Sequence, residues 1–297
     1  MEEMKVGVMD VGSNTVRLLV ASVDGGEVRS LREERTHLGL GEEILLHGRV
    51  RRRKLEELAQ VVREYGDVAR KHRVRQLETV VTAPGRQGGS PERLLRVLAQ
   101  ASGAPVRVVS AEDEGRLAYV GAVARTEVGP GVIAVCDVGG GSTEIVVGTA
   151  LIGPAWVRSV DVGSLRLTAS HLHGDPPSAQ EIEAVRAAVR NAVSAFAPPR
   201  PDLALATGGS ARAIARLLGG RPYDADALDA VVADLASRPA ALTSAKLGVA
   251  PHRARTLLAG ALVLAEVSRL LDIELTPAKG GIREGAALQL AAQRSAA

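Results

Sequence analysis

A short motif that occurs twice limits what this chain can fold into more than any other feature. An apolar segment ends at Asp10, and a turn of small polar residues follows, Asp-Val-Gly-Ser-Asn-Thr. The same order returns at Asp137 as Asp-Val-Gly-Gly-Gly-Ser-Thr, again directly after an apolar segment. Each copy predicts a buried strand, a tight turn and a returning strand, which together form a hairpin. Because the spacing far exceeds a solenoid period, the repeat indicates a duplicated α/β domain.

Apolar runs and helical spacing predict the remaining elements. We expect strands at 5–9, 16–23, 77–81, 106–109, 132–136, 145–148 and 203–206. We expect helices at 51–72, 91–102, 114–123, 178–196 and 253–271, and a final helix from about 282. Ser90 is the predicted N-cap of the second of these helices, because a proline follows it, and Gly103 ends that helix.

A Gly-Pro-Gly segment at 129–131 is the predicted domain boundary, since the strand and turn pattern begins again after it. We therefore expect an N-terminal domain at 1–125 and a C-terminal domain at 126–297. The last helix, about 282–297, is expected to pack back on the first domain. The duplication predicts an active site between the two copies.

Composition excludes several classes of protein. The net charge is only +3 and aromatic residues make up 2%, which does not favour binding to nucleic acid. Cys136 is the single cysteine, so an intrachain disulfide is excluded and a reducing compartment is favoured. The N-terminus lacks a signal pattern, and the longest apolar run, 257–265, is far shorter than the ~20 residues that span a bilayer. We predict a cytoplasmic protein with no membrane partner.

The residue types of the two turns suit a chain of phosphates. Glycine lets the backbone approach an anion and direct N–H groups at it, and Ser and Thr hydroxyls add donors. A third turn precedes a predicted helix, whose N-terminus also favours anions. The predicted phosphate-binding residues are Gly12, Ser13, Asn14, Thr15, Gly139, Gly140, Gly141, Ser142, Thr143, Gly208, Gly209 and Ser210.

The aspartates of the turns predict a metal ion. A carboxylate and a phosphate repel each other, but Mg²⁺ binds oxygens of both and keeps several waters. We therefore predict Asp10 and Asp137 as ligands. Glu144 either helps to hold Mg²⁺ through water or only caps the second turn. One such turn could simply be a hairpin that needs glycine, and two copies make that interpretation much less favoured.

The two turns resemble the phosphate-binding motifs of the actin, hexokinase and Hsp70 ATPase superfamily. More narrowly, they resemble the exopolyphosphatase and guanosine pentaphosphate phosphohydrolase family. The resemblance extends over nearly the whole chain and includes 82–86, 110–121, 163–167, 207–212 and 281–285. It implies two duplicated actin-like (ribonuclease H-like) α/β domains with an interdomain active-site cleft. It also implies an enzyme that depends on Mg²⁺, with Mn²⁺ as a substitute, and a homodimer.

The resemblance also implies two catalytic residues, Glu114 as the base that activates water and Arg86 as a phosphate contact. Hydrolysis of a phosphoanhydride bond needs a carboxylate that orients the attacking water. It also needs a group such as arginine that stabilises the charge on the phosphoryl oxygens. Glu112 and Asp113 are explained by the helix start, where carboxylates favour the dipole. The chain has Asp113 and Gly115 where many relatives carry Glu and Ala, so the choice among the three carboxylates stays open.

The predicted substrate is inorganic polyphosphate, which would be cleaved from its end to release orthophosphate. Guanosine pentaphosphate is the alternative. Because the chain lacks the additional C-terminal helical domains of larger relatives, we expect a preference for short polyphosphates. Two further hypotheses are an actin-like or sugar-kinase-like ATP-binding protein and a non-catalytic sensor of polyphosphate or alarmones.

Overall fold

The computed structural model describes residues 3–89 and 91–295, so the predicted N-cap at Ser90 lies outside the described residues. In chain order the strands are β1 Met4–Val11, β2 Thr15–Asp24, β3 Glu27–His37, β4 Gln76–Val81, β5 Val106–Val108, β6 Val132–Val138, β7 Thr143–Thr149, β8 Gly153–Val160, β9 Leu203–Thr207 and β10 Leu275–Pro277. The helices are α1 Leu40–His47, α2 Arg52–Lys71, α3 Ala83–Gln87, α4 Pro91–Ser102, α5 Ala111–Val123, α6 Ser164–His171, α7 Ala179–Val193, α8 Gly208–Leu217, α9 Ala225–Ala236, α10 Ala240–Leu247, α11 Pro251–Leu271 and α12 Ile282–Ser295.

These elements form two compact units. The first contains the chain up to Glu127 and resumes at Gly280, so that α12 belongs to it. The second is Val128–Lys279. Each unit has one five-stranded sheet, in the order β3-β2-β1-β4-β5 in the first and β8-β7-β6-β9-β10 in the second. The order and the strand directions are therefore the same in both units, as expected for a duplication.

The central strand β1 of the first unit is buried on both faces of the sheet. Met9 and Val11 of β1 face a core that includes residues of α2 and α4. Val6 and Val8 face a second core, to which α5 and α12 contribute. Since successive side chains of a strand point to opposite faces, an apolar strand of this kind reads as a nearly continuous hydrophobic run. That run is why β1 could be predicted from the sequence.

The second unit is organised around α11. Residues of this helix are buried almost all round, and α11 packs against α6, α7, α8, α9 and α10. A helix that is apolar on every side is expected in a core. Among the described residues, no helix is both long and apolar enough to cross a membrane.

Several elements were missed by the sequence patterns, among them the edge strands β3, β8 and β10 and the short helices α1, α3 and α6. β3 has the sequence Glu-Val-Arg-Ser-Leu-Arg-Glu-Glu-Arg-Thr-His, and most of its side chains are exposed or half-buried. An edge strand pairs on one side only, and charged residues protect it from further pairing. Its sequence therefore has little of the apolar alternation by which strands are recognised.

The close crossing of α5 and α12 in the first unit depends on glycine. A Cβ atom on Gly285 would collide with the carbonyl oxygen of Leu117, and one on Gly121 would collide with the carbonyl oxygen of Gly281. The two helices therefore touch backbone to backbone. This contact fixes the position of α5, the helix that carries Glu114.

Candidate active site

The two Gly-rich turns close in the same way. The amide of Gly12 donates to the carbonyl of Thr15 over 3.1 Å, and the amide of Gly139 donates to the carbonyl of Ser142 over 3.0 Å. Each bond joins the two strands of a hairpin, β1 to β2 and β6 to β7. The sequence repeat is thus a structural repeat.

A helix start holds each turn in place. In the first unit, the amide of Gly41 in α1 donates to the carbonyl of Ser13 over 2.8 Å. In the second, the amides of Ser164 and Leu165 in α6 donate to the carbonyls of Gly139 and Gly140 over 2.9 and 3.0 Å. First-turn amides have no partner within their own helix, so they are suited to this role. The protein's own hydrogen bonds therefore shape both turns, which favours an anion cradle made of backbone amides.

Glycine at 163 allows α6 to approach the second turn. A Cβ atom at this position would lie 2.5 Å from the amide nitrogen of Gly141. No real side chain tolerates such a contact with backbone, so residue 163 must be glycine for the helix start to reach the turn.

Two buried carboxylates lie side by side in the second unit. Asp137 on β6 is the direct cross-strand partner of Glu144 on β7, and they are 6% and 1% exposed. Glu144 is in turn opposite Ser159 on β8, whose hydroxyl donates to Glu144 Oε1 over 2.8 Å. The neighbouring Cys136 thiol has its pKa raised by burial and, secondly, by these two carboxylates. Two carboxylates are thus adjacent in a buried part of the sheet.

This pair of carboxylates fits Mg²⁺. Like charges on directly opposite strand positions destabilise a sheet, and a divalent cation removes the repulsion. Mg²⁺ is usually held by one or two carboxylates together with water and phosphate oxygens. Within residues 3–89 and 91–295, no group of three or more His, Cys, Asp or Glu side chains lies close enough to hold a metal by itself.

The first unit has the opposite charge at the equivalent position. Asp10 on β1 is opposite Arg17 on β2, where the second unit has Glu144 opposite Asp137. The Arg17 Nε donates to the hydroxyl of Thr15, in the turn itself, over 3.2 Å. The first turn is thus flanked by an Asp–Arg pair and the second by an Asp–Glu pair, a difference that the motif comparison did not identify.

The third predicted turn lies beside the second. Gly208, the first residue of α8, has φ +92°, and a Cβ atom there would lie 2.8 Å from Asp137 Oδ1. Glycine readily adopts this backbone conformation, and its lack of a side chain leaves room for the nearby Asp137 carboxylate. Ser210, by contrast, is fully buried, and its hydroxyl faces Gly260 of α11. At position 210 the side chain therefore packs between two helices.

Arg253 was missed by the sequence analysis. It lies in the first turn of α11 and is only 8% exposed. Its guanidinium packs on Gly209, with Nη2 2.6 Å from where a Cβ atom would be. A buried guanidinium at a helix N-terminus strengthens an anion site. In the sequence Arg253 merely begins an apolar helix, and no local signal connects it with Gly209.

Glu114 differs from its acidic neighbours on α5. Ser110 is the N-cap, and its hydroxyl accepts from the amide of Asp113 over 3.0 Å and donates to that residue's carboxylate over 2.8 Å. Glu112 is exposed and pairs with Arg116 one turn later. Glu114 is the buried one of the three, at 5% exposure. Asp113 therefore takes part in the N-cap of α5, and Glu112 forms an ion pair on the surface of that helix.

Arg86 and Glu114 are brought together in the first unit. Arg86 lies on the short helix α3, which follows β4. Its Nη1 is 2.8 Å from Glu114 Oε2 and also donates to the carbonyl of Val109 over 2.9 Å. The half-buried cation compensates the buried carboxylate, since an unpaired charge in such a position is costly.

Comparison with known proteins agrees with this architecture. The model of the Ppx/GppA phosphatase family matches residues 19–294. Exopolyphosphatase 1 of Mycobacterium tuberculosis is 30% identical over 304 residues, covering 96% of this chain and 88% of that protein. Exopolyphosphatase 2 of the same organism is 28% identical, and the match covers 97% of this chain and 98% of that protein. The crystal structure of the Aquifex aeolicus member of the Ppx/GppA family superposes with a TM-score of 0.84 at 25% identity, covering 99% of each chain. The fold is thus actin-like, and the chain belongs to the Ppx/GppA phosphatase family.

Proposed function

We propose that the protein is an exopolyphosphatase, which hydrolyses the terminal phosphoanhydride bond of inorganic polyphosphate and releases orthophosphate. The observation that carries the proposal is the buried Glu114 carboxylate with the Arg86 guanidinium 2.8 Å away. Relatives named exopolyphosphatase match nearly the whole chain and support the choice of substrate.

Glu114 acts on the attacking water and Arg86 on the phosphoryl group. The water oxygen bonds to the terminal phosphorus while the bond from that phosphorus to the bridging oxygen breaks. Glu114 accepts the water proton, and the shortened chain leaves with the bridging oxygen. Charge on the transferred phosphoryl oxygens is stabilised by Arg86. One contact thus provides both a base and an anion-binding group.

Asp137 and Glu144 would hold Mg²⁺, with Asp10 as a further predicted ligand and Mn²⁺ as a substitute. When bound, the ion neutralises negative charge on substrate phosphates. The turns bind phosphates through backbone amides and the hydroxyls of Ser13, Thr15 and Ser142. The predicted Thr143 hydroxyl instead donates its one proton to the carbonyl of Val162 over 2.6 Å. Arg253 adds a cation beside Gly209.

The test is phosphate release, with Mg²⁺, from a short polyphosphate, a long polyphosphate, guanosine pentaphosphate and ATP. Wild type is compared with Glu114→Gln and with Glu112→Gln, the control, whose side chain is exposed on the same helix. We expect Glu114→Gln to abolish turnover while substrate still binds, and Glu112→Gln to retain it. Full activity of Glu114→Gln would remove Glu114 as the base.

The same assay decides the substrate. We propose that short polyphosphates are cleaved faster than long ones, and faster hydrolysis of the long chain would refute this. Fastest release from guanosine pentaphosphate would make that nucleotide the substrate instead. No release from any of the four would favour an ATP-binding protein or a sensor. We also propose a homodimer, which sedimentation equilibrium of the full chain tests.

A further inference from the structure

A cavity of about 240 Å³ lies in the second unit, and neither the turns nor the predicted site residues line it. Its walls come from the end of α6, the segment before α7, the end of α9, α10 and the start of α11. We propose that this cavity binds a small oxyanion, a carboxylate or a phosphate, carried on a compact apolar body.

The first observation is a buried hydroxyl. Thr243 lines the cavity and is 1% exposed. Its Oγ1 has no hydrogen-bond partner among the residues that the structure describes. A buried polar atom of this kind normally has a partner, either in the protein or in a bound molecule. Asp175 and Ala240, which also line the cavity, are hydrogen-bonded to each other, because Asp175 Oδ1 accepts from the amide of Ala240 over 2.6 Å.

The second observation is an arginine in the same wall. Arg238 is mostly buried, and its Nη2 donates to Asp234, outside the cavity. Its Nε is buried and, within residues 3–89 and 91–295, has no hydrogen-bond partner. A guanidinium can only donate, so the missing partner must be an acceptor. Together with the Thr243 hydroxyl, this donor set calls for an oxygen, and guanidinium groups prefer the oxygens of carboxylates and phosphates.

Charge and size define the remainder of the ligand. Arg255, exposed at the rim, adds a second positive charge, opposed by Asp175. Leu172, Leu235 and Leu258 supply apolar wall. The volume is below the roughly 300–1,000 Å³ of pockets that hold drug-sized ligands. The occupant is therefore the size of a small metabolite, with one anionic end and an apolar remainder.

Two variants test the site in the full-length protein. Thr243→Val removes the hydroxyl with little change of shape, and Arg238→Gln removes the charge. Arg190→Gln is the control, because Arg190 is exposed and pairs with Glu183 on its own helix. Binding of two probes with one anionic end and an apolar remainder, butyrate and butyl phosphate, is measured by calorimetry at constant ionic strength. Ser142→Ala is included to separate this cavity from the phosphate-binding turn.

We expect at least one probe to bind wild type, Arg190→Gln and Ser142→Ala alike, and to lose tenfold or more in affinity in both cavity variants. The probe that binds identifies the oxyanion. Without any probe, Thr243→Val should leave the melting temperature unchanged or raise it, because replacing an unsatisfied hydroxyl by a methyl removes a desolvation penalty. Failure of both probes to bind wild type would overturn the proposal. So would binding that survives both cavity variants, or a clear fall in melting temperature of Thr243→Val.

Discussion

Arg86 Nη1 lies 2.8 Å from Glu114 Oε2, and the same nitrogen donates to the backbone carbonyl of Val109. The carbonyl holds the guanidinium where it can meet the carboxylate, and α3 and α5 are thereby joined at one point. Since the pair is largely shielded from water, its geometry should be far more sensitive to substitution than that of a surface ion pair.

Replacing Arg86 should affect turnover more than any exposed arginine of the same unit. We expect Arg86→Ala to lower kcat for polyphosphate by about 100–1,000-fold, the usual effect of removing one group that stabilises transition-state charge. Steady-state kinetics measure this. Arg63→Ala, on the exposed side of α2, is the control and should keep wild-type kcat. A kcat within twofold of wild type for Arg86→Ala would contradict the assigned role.

Replacing Glu144 should weaken the response to Mg²⁺. Glu144→Gln keeps the shape and the hydrogen bond from Ser159 but removes one of two adjacent buried carboxylates. We expect the Mg²⁺ concentration for half-maximal activity to rise by about 10–100-fold, the range seen when groups that support a metal are removed. Glu183→Gln, exposed on α7, serves as the control. An unchanged Mg²⁺ requirement would show that Glu144 only supports the turn.

A methyl group at Gly285 should destabilise the first unit. It would collide with the Leu117 carbonyl, and neither helix backbone can yield as a side chain would. We expect Gly285→Ala to lower the free energy of unfolding by about 3 kcal/mol, the upper end of the usual cost of overpacking. Gly129→Ala, where a Cβ atom meets nothing within 4 Å, should change it little. Chemical denaturation measures both, and equal stabilities would exclude the close crossing of α5 and α12.

The capping box of α7 should make the second unit sensitive to acid. Amides of Ser178, Gly174 and His173 donate to the Glu181 carboxylate and lower its pKa from 4.5 to about 2. Because the folded-state pKa is depressed, the stabilisation is present above the ordinary pKa and is lost as the pH falls toward 2. We expect Glu181→Gln to have a lower melting temperature than wild type at neutral pH. Between pH 4.5 and pH 2, its melting temperature should fall by less than that of wild type. Thermal melts at both pH values should show no such change for Glu183→Gln.

Cys136 should be inert in the folded protein. It is buried on β6, and burial, together with Asp137 and Glu144, raises its pKa. The thiolate is the reactive form, so both effects suppress reaction. We expect a thiol reagent to modify no cysteine under native conditions and one cysteine in denaturant. Rapid modification of the native protein would show that β6 is accessible.

The sequence determined the repeated elements of this protein. Apolar strands that end at Asp10 and Asp137, followed by turns of glycine and hydroxyl residues, predicted two hairpins, and both are present. These features are local, since strand burial and turn conformation depend on residues a few positions apart. The resemblance then predicted the family, and the actin-like architecture and the family were confirmed.

Only the tertiary structure decided which side chains meet. Arg253 lies on Gly209 although 44 positions separate them in the sequence. Arg17 is the cross-strand partner of the first aspartate, whereas Glu144 is that of the second. The edge strands β3 and β8 lack a pattern because their burial depends on neighbouring strands. Ser210, predicted as a phosphate ligand, has its hydroxyl packed against Gly260. Contacts between distant segments arise from how sheets and helices pack, and no local pattern of residues encodes them.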